Sequence, residues 1–506
     1  MNLADLIERN AAFTPGKPAL RFEGRTLGYG AFAERIAQAA RALKSQLGVG
    51  RGDRVAILAT NHPDYLVLLY ACARLGAMLL PLNWRLAAPE QVFILSDASA
   101  KVLIVEQAFA GVVPSLKQAL PDIHVVGLGK ADGAAVTLDA LIAAGSGDGA
   151  NPHIDEKCPL LLVYTSGTTG RPKGAVLRQE ALLWNGVMSH HMHDMRAEDH
   201  ILTVLPFFHV GGLNIQTTPA LHIGATVTIH ARFAPDAALA SIARDKPTLT
   251  VLVPATIQAM LAHPAWATTD LSSLRAITTG STQVPVPLIE AVEARGVPVL
   301  QVYGSTETCP VAVYTRLGGD LSRKTSTGLP GLWCEARIVD EQGRDVPPGV
   351  AGEVLVRGPN VFFEYWGNQA ATAEALRDGW YYSGDIGTRD KDGYFYIHDR
   401  KKNMIISGGE NIYPAEVERV LGEHPAIAEA AVIGRPDPKW QEVPVAYVVR
   451  RAGQACEAEA VIAHVARELA RFKVPREVVF VDALPRNALG KVQHFVLRER
   501  AGAAQR

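Results

Sequence analysis

Short runs of apolar, often β-branched residues recur along the first part of the chain: RVAIL at 54–58, KVLIV at 101–105, LLLVY at 160–164, TLTVLV at 248–253 and VPVLQVY at 297–303. They lack the polar alternation of strands with one wet face, so each must be covered on both faces, and helix-forming segments separate them. That pattern commits the chain to layered α/β structure with largely parallel, doubly buried strands. At 506 residues the chain is too long for one core, and at least two domains are expected. From residue 325 the texture changes. EQGRDVPPGVAGEVLVRG and RDKDGYFYIHDR carry Gly, Pro and Asp turns between alternating strands, which predicts a β-rich subdomain. After DRKKNMIISGGENIYP a compact α+β module is expected, with helices at 414–421 and 457–470 and strands at 430–433, 443–450 and 477–481.

Bulk properties exclude several classes. The formal net charge of −1 and an apolar share of 48% are those of an ordinary globular protein and offer nothing to nucleic acid. Cys72, Cys158, Cys309, Cys334 and Cys456 are scattered singly, without metal-ligand spacing or disulfide density, which fits a reducing cytoplasm. The N-terminus MNLADLIERNAAF reads as an amphipathic helix with Leu3, Leu6 and Ile7 on one side, not as a signal peptide. The greasiest stretch, 65–82, is broken by Arg74, Gly76 and Pro81 and predicts a buried helix and strand, not a transmembrane segment.

The stretch YTSGTTGRPKGA, residues 164–175, follows one of the apolar runs and concentrates glycines, hydroxyls and two cations. Such a turn can aim backbone N–H groups and hydroxyls at phosphate oxygens while Lys173 neutralises charge. It is not a Walker loop, because Lys173 is followed by Gly174 instead of Ser or Thr, and Pro172 disfavours a direct run into a helix. On its own the loop is either a phosphate cradle or a mobile surface turn.

The stretch resembles the signature loop of the adenylate-forming enzymes, the family of acyl-CoA synthetases, 4-coumarate:CoA ligases, luciferases and peptide-synthetase adenylation domains. The family's order continues with PFFHVGG (206–212), QVYGSTET (301–308), GEVLVRG (352–358), YYSGDIG (381–387), DRKKNMIISGGENIYP (399–414) and PRNALGKV (485–492), so the likeness spans nearly the whole chain. It implies a large N-terminal domain of layered α/β subdomains plus a β-rich subdomain, residues 1–400, and a small mobile α+β C-terminal domain, residues 401–506. It implies ATP and coenzyme A as substrates and Mg²⁺ as cofactor. A carboxylate would be activated as an acyl-adenylate, with pyrophosphate leaving, and then transferred to the thiol of CoA.

Site residues follow from the resemblance, position by position. Thr165, Ser166, Gly167, Thr168, Thr169, Gly170 and Lys173 would hold the β- and γ-phosphates. Lys491 matches the catalytic lysine that bridges the carboxylate and the α-phosphate. Glu307 would hold Mg²⁺ and Thr306 the α-phosphate; one glutamate suffices, because Mg²⁺ keeps water and phosphate oxygens as its other ligands. Asp385 would accept from the ribose hydroxyls, with Arg400 on the other side of the sugar. Tyr303 offers a ring to adenine, and Gln301, Gly304, Ser281 and Asn411 complete the nucleotide site. Gly408, Gly409 and Arg232 are the CoA contacts, and Lys402 matches the hinge. Where relatives carry a Gly-Ala-Ala/Pro turn against adenine, this chain has TTGSTQVP. A homodimer and an acetyltransferase acting on Lys491 stay open as partners, and neither follows from the sequence.

The acid pocket would be lined by Phe208, Gly211, Gly212, Asn214 and Gly280, with His209 as its gate; a lone histidine there is equally compatible with a satisfied core group. No Lys or Arg lies between Phe207 and Ala231, so a second carboxylate would have no cation there, and a monocarboxylate, fatty or aromatic, is favoured over a malonate-type diacid. The phrases NWRLAAPEQVFILSDA and IISGGENIYPAEVE look most like bacterial fatty-acyl-CoA synthetases, with 4-coumarate-type ligases next. The other reading is an adenylate-forming relative that does not use CoA. The chain ends at AGAAQR without a carrier segment, which favours CoA as acceptor.

Overall fold

The structure is a computed structural model that describes residues 2–165, 172–281, 284–407, 410–438, 440–469, 471–486 and 491–503. Two compact units make up the chain: residues 1–336 with 356–382, and residues 337–355 with 383–506. The dividing line crosses the strands Glu335–Val339, Gly352–Arg357 and Trp380–Arg389 of the β-rich region.

The apolar runs build two sheets in the first unit. Arg54–Leu58, Val102–Glu106 and Pro159–Thr165 belong to an eight-stranded sheet; Leu249–Val251 and Val299–Tyr303 belong to a nine-stranded one. Pairing is parallel through the middle of both, with antiparallel strands at the margins. The stretch 65–82 folds as the helix Pro63–Leu75 and the strand Met78–Pro81. His62 caps the helix by accepting from Asp64 N, Pro63 starts it and Gly76 ends it at φ 70°, the expected proline-in, glycine-out grammar. Its residues from Tyr65 to Ala73 are fully buried, so this helix is a core element. No helix among the described residues is long and apolar enough to cross a membrane.

Between the two sheets lies a layer of helices that positions the site. Helix Gln179–His193 packs on Pro159–Thr165 and Lys173–Arg178 of one sheet, helix Thr217–His222 packs on His200–Thr203 and Thr226–Ile229 of the other, and the two helices pack on each other.

The second unit is built on an antiparallel pair, Ile427–Asp437 with Gln441–Arg450, extended by the parallel strand Glu477–Phe480. Helices Pro414–Gly422 and Ala458–Glu468 contribute Val417, Val420, Leu421, Val461 and Val465 to its core. Two elements lie beyond the sequence expectation: the hairpin Ile405–Ser407 with Glu410–Ile412, and the helix His494–Ala503.

Candidate active site

Strands Pro159–Thr165 and Lys173–Arg178 form the arms of a hairpin with Thr165 opposite Lys173, so the glycine-rich loop joins two strands. Its Ser166, Gly167, Thr168, Thr169 and Gly170 lie outside the described residues. Thr165 Oγ1 donates to the Lys173 carbonyl across the arms at 3.4 Å. Lys173 Nζ lies over the ring of Tyr365, 5.4 Å from its centroid, and the Tyr365 hydroxyl donates to Glu307 Oε1 at 2.8 Å. Tyr365 reaches this place because Glu364–Tyr365 pairs with Lys173–Arg178, with Tyr365 opposite Ala175.

Thr306 and Glu307 sit on the single turn Thr306–Thr308, just beyond the strand Val299–Tyr303. Both are 7% exposed. Ser305 N donates to Thr308 Oγ1 at 2.9 Å and Phe362 N to the Glu307 carbonyl at 2.7 Å, which fixes the turn. The Glu307 carboxylate has no ion-pair partner among the described residues. A nearly buried carboxylate without a cation is costly unless it is neutralised, and a single carboxylate is a donor set that suits Mg²⁺ completed by phosphate and water.

The surrounding nucleotide candidates divide by role. Tyr303 is half-buried at the strand end. A β-carbon on Gly304 would overlap the Pro310 carbonyl, so glycine is needed for the chain to fold back. Gln301 spends its amide on the Lys324 carbonyl at 2.7 Å, bracing that loop. Ser281 follows the strand Ala276–Gly280 at φ 76°, a left-handed conformation that favours glycine.

The segment expected to line the acid pocket is the short helix Val210–Asn214, whose N-cap His209 accepts from Gly211 N through Nδ1 at 3.1 Å. With Nδ1 accepting, the neutral ring carries its proton on Nε2. At Gly211 a β-carbon would meet only the side chains of His209 and Ile215, from 3.2 Å outward. Gly212 differs: its β-carbon would strike the backbone of Leu205 and Pro206. Space for a larger group is therefore present at Gly211, whereas Gly212 serves a close backbone approach. Gly280 serves another, against the Val302 carbonyl. Asn214 is fully buried and braces the helical layer: Nδ2 donates to Cys309 Sγ at 3.5 Å, Oδ1 accepts from Thr218 Oγ1 at 3.3 Å and its carbonyl accepts from Asn185 Nδ2 at 2.6 Å.

Arg232 lies 4.5 Å over the ring of Trp84, and so does Arg85. Phe109 stacks on Trp84 at 5.7 Å and Phe208 meets it edge-on at 6.2 Å. Neither guanidinium has a carboxylate partner among the described residues. Burial, and next the charge of Arg232, lowers the Arg85 pKa. Two adjacent cations without a counter-ion among the described residues could take a polyanion such as a phosphate group. Sequence reasoning found Arg232 and missed Arg85, since only the fold brings NWRL beside HARF.

In the second unit Asp385 and Arg400 face each other on the paired strands Trp380–Arg389 and Phe395–Arg400, with Nε 2.5 Å from Oδ1. Asp385 is 6% exposed. The turn Lys401–Asn403 follows. Asp399 pins it by accepting from Arg400 N at 2.6 Å, Asn403 Nδ2 at 3.1 Å and Ala415 N at 3.0 Å, and burial, with the charge of Glu418, raises its pKa. Lys402 has its backbone in this turn, and the Asn411 backbone pairs with Ile406; both side chains lie outside the described residues, as do Gly408 and Gly409 altogether. Lys491 is half-buried, next to the bridge between Arg486 and Val492 and just ahead of the helix His494–Ala503.

The chain is similar to known proteins over nearly its whole length. Residues 7–366 match the AMP-binding enzyme family and residues 416–491 match the AMP-binding enzyme C-terminal domain. An indoleacetate–CoA ligase of Aromatoleum aromaticum is 50% identical over 501 residues, covering 99% of this chain and 98% of the relative. A feruloyl-CoA synthase of an Amycolatopsis species is 41% identical over 98% of both chains. Among solved structures, the anthranilate CoA ligase AuaEII in complex with anthranoyl-AMP superimposes with a TM-score of 0.91 at 30% identity, over 100% of this chain and 98% of that one. With the family model matching most of its length and such relatives matching nearly all of it, the chain belongs to the AMP-binding enzyme family.

Proposed function

We propose that the protein is an ATP-dependent acid:CoA ligase that activates an aromatic monocarboxylic acid as its acyl-adenylate and transfers it to coenzyme A, releasing pyrophosphate and AMP. The observation that carries the reading is Glu307, a nearly buried carboxylate without a cationic partner among the described residues, held by Tyr365 beside Lys173. Glu307 would hold Mg²⁺, which supplies charge neutralisation for the triphosphate. Lys173 and the loop ahead of it bind the β- and γ-phosphates. Lys491 draws the acid carboxylate and the α-phosphate together; a carboxylate oxygen attacks phosphorus and the bond to pyrophosphate breaks. Asp385 and Arg400 hold the ribose, while His209 stands beside the acyl carbonyl. In the second half-reaction the CoA thiolate attacks that carbonyl carbon and AMP leaves. Arg85 and Arg232 bind the phosphates of CoA, and Gly408 and Gly409 lie along its pantetheine arm. We assign 401–506 as the mobile domain that turns about Lys402 between the two half-reactions. Acetylation of Lys491 would remove its charge and with it the first half-reaction.

The aromatic class is supported by relatives that act by name on indoleacetate and ferulate, and by the absence of any Lys or Arg between Phe207 and Ala231, which disfavours a diacid. The test is pyrophosphate release across arylacetates, hydroxycinnamates, fatty acids and malonate, with and without CoA. Turnover of aromatic monocarboxylates with formation of the thioester is expected. Turnover of malonate alone, or adenylate formation without thioester, would contradict the reading.

A further inference from the structure

Lys491 stands in a stretch of the second unit that is tied down on either side of it. Upstream, Leu484 is buried, Arg486 bridges to Val492, and Gln493 N donates to the Pro485 carbonyl at 2.8 Å. These contacts close the stretch on itself. Arg486 also pairs with Glu429 at 2.8 Å, but both side chains are exposed, and such pairs contribute little. Downstream, the helix His494–Ala503 begins three residues after the lysine. Its Leu497 is fully buried among Ala431, Ile433, Val445 and Tyr447 of the sheet. Hydrophobic contact is non-directional, so it keeps the helix on the sheet without setting its angle.

Polar contacts set that angle. His494 and Arg498 lie one turn apart and share a side of the helix. His494 Nε2 is 2.8 Å from Glu418 Oε1; a carboxylate can only accept, so Nε2 carries the proton. The same oxygen accepts from Val432 N at 2.8 Å, so a core strand holds the acceptor in place for the histidine. The His494 and Glu418 side chains are 16% and 22% exposed, a setting in which a bond to a carboxylate is stronger than an exposed pair. Arg498 Nη2 donates to the Asn403 carbonyl at 3.3 Å, and Asn403 Nδ2 donates to Asp399 Oδ1 at 3.1 Å. One helix thus ties the stretch carrying Lys491 to the helix Pro414–Gly422 and to the turn Lys401–Asn403.

We infer that His494 is a positioning residue for Lys491: by donating to Glu418 it fixes the first turn of its helix and, through it, the place and angle at which the lysine is presented. The inference rests on the reading above that Lys491 draws the acid carboxylate and the α-phosphate together, and it deepens that reading. A misplacement of about 1 Å at such a group can cost on the order of 100-fold in rate. Thioester formation does not use the lysine in that reading, so the loss falls on one half-reaction.

The test measures acid-dependent pyrophosphate release, with the acid that the wild type turns over fastest, and thioester synthesis from supplied acyl-adenylate and CoA. Both are followed in His494→Ala and in His494→Gln, whose amide can offer Glu418 an N–H where alanine cannot. In His494→Ala, kcat for pyrophosphate release is expected to fall at least ~10-fold with KM for ATP within about 2-fold, while thioester synthesis stays near the parental rate. His494→Gln is expected to recover most of the loss. An equal fall in both half-reactions overturns the inference, because His494 then supports only the fold. Parental pyrophosphate release in the alanine variant overturns it too, as does a glutamine variant no better than alanine, since the bond to Glu418 is then not what matters. Where His494→Ala fails to fold, Glu418→Gln takes its place; it keeps an acceptor for Val432 N and removes the charge. The same one-sided loss is expected there, and parental or equally lowered half-reactions overturn the inference. Lys491→Ala separates the two readings. If it releases pyrophosphate at the parental rate, the role of Lys491 itself fails; if it loses that step and His494→Ala does not, only the inference fails.

Discussion

Glu307 depends on a tyrosine 58 residues away in sequence. Without the Tyr365 hydroxyl one carboxylate oxygen would lose its donor, and the carboxylate would no longer be held at one angle. Hydrogen bonds to charged groups contribute about 1.5–3 kcal/mol, so Tyr365→Phe is expected to lower kcat roughly 10- to 100-fold and to raise the Mg²⁺ concentration needed for half-maximal rate; an unchanged magnesium requirement would show that Tyr365 does not position Glu307. Ser281 offers a stability prediction. A non-glycine residue in the left-handed region costs roughly 1–2 kcal/mol, so Ser281→Gly is expected to raise the denaturant midpoint by about that stability, and a lowered midpoint would show that the serine side chain makes a compensating contact. At this scale the motif YGSTE made Glu307 legible, because the turn is local. Tyr365 was illegible because VFFEYW carries no signal until the strand Glu364–Tyr365 is laid beside Lys173–Arg178. The close approach at Gly212 was illegible for the same reason: only the fold puts the Leu205 and Pro206 backbone against it.

The elements that read most clearly are the doubly buried strands, where sheet burial on both faces leaves an uninterrupted apolar run. Arg54–Leu58 matches its run residue for residue. The helix His494–Ala503 carried no such signal, since its fully buried apolar contact is Leu497 and its first residue is anchored by charge. His494 Nε2 lies 2.8 Å from Glu418 Oε1. Burial disfavours the imidazolium, but the hydrogen bond and charge of Glu418, with Asp399 behind it, raise the His494 pKa above 6.5. A histidine with a raised folded pKa contributes stability that is fully present below about 6.5, its unfolded value, and is lost as pH rises through the folded pKa. Hydrogen exchange in the helix His494–Ala503 is therefore expected to quicken as pH rises through that window, after correction for intrinsic exchange, and His494→Gln should flatten the trend. A trend that survives in the variant would assign it to another group.

For the whole molecule, the division into two compact units separates the groups proposed to act on ATP. Glu307, Thr306, Lys173 and His209 belong to the first unit, and Asp385, Arg400 and Lys491 to the second. The motif order puts Lys491 in the expected C-terminal domain, 401–506, and Asp385 and Arg400 ahead of it, whereas the approach of Arg85 and Arg232 over Trp84 arises from contacts between distant segments. The central claim is that one lysine of the second unit serves adenylation and not thioester formation. It is tested most directly by measuring both half-reactions separately in Lys491→Ala. Removing a charge aimed at the transition state costs on the order of 3 kcal/mol or more, so acid-dependent pyrophosphate release is expected to fall by at least ~100-fold, while thioester synthesis from supplied acyl-adenylate and CoA proceeds near the parental rate. Parental pyrophosphate release in the variant, or an equal loss in both half-reactions, would contradict the account.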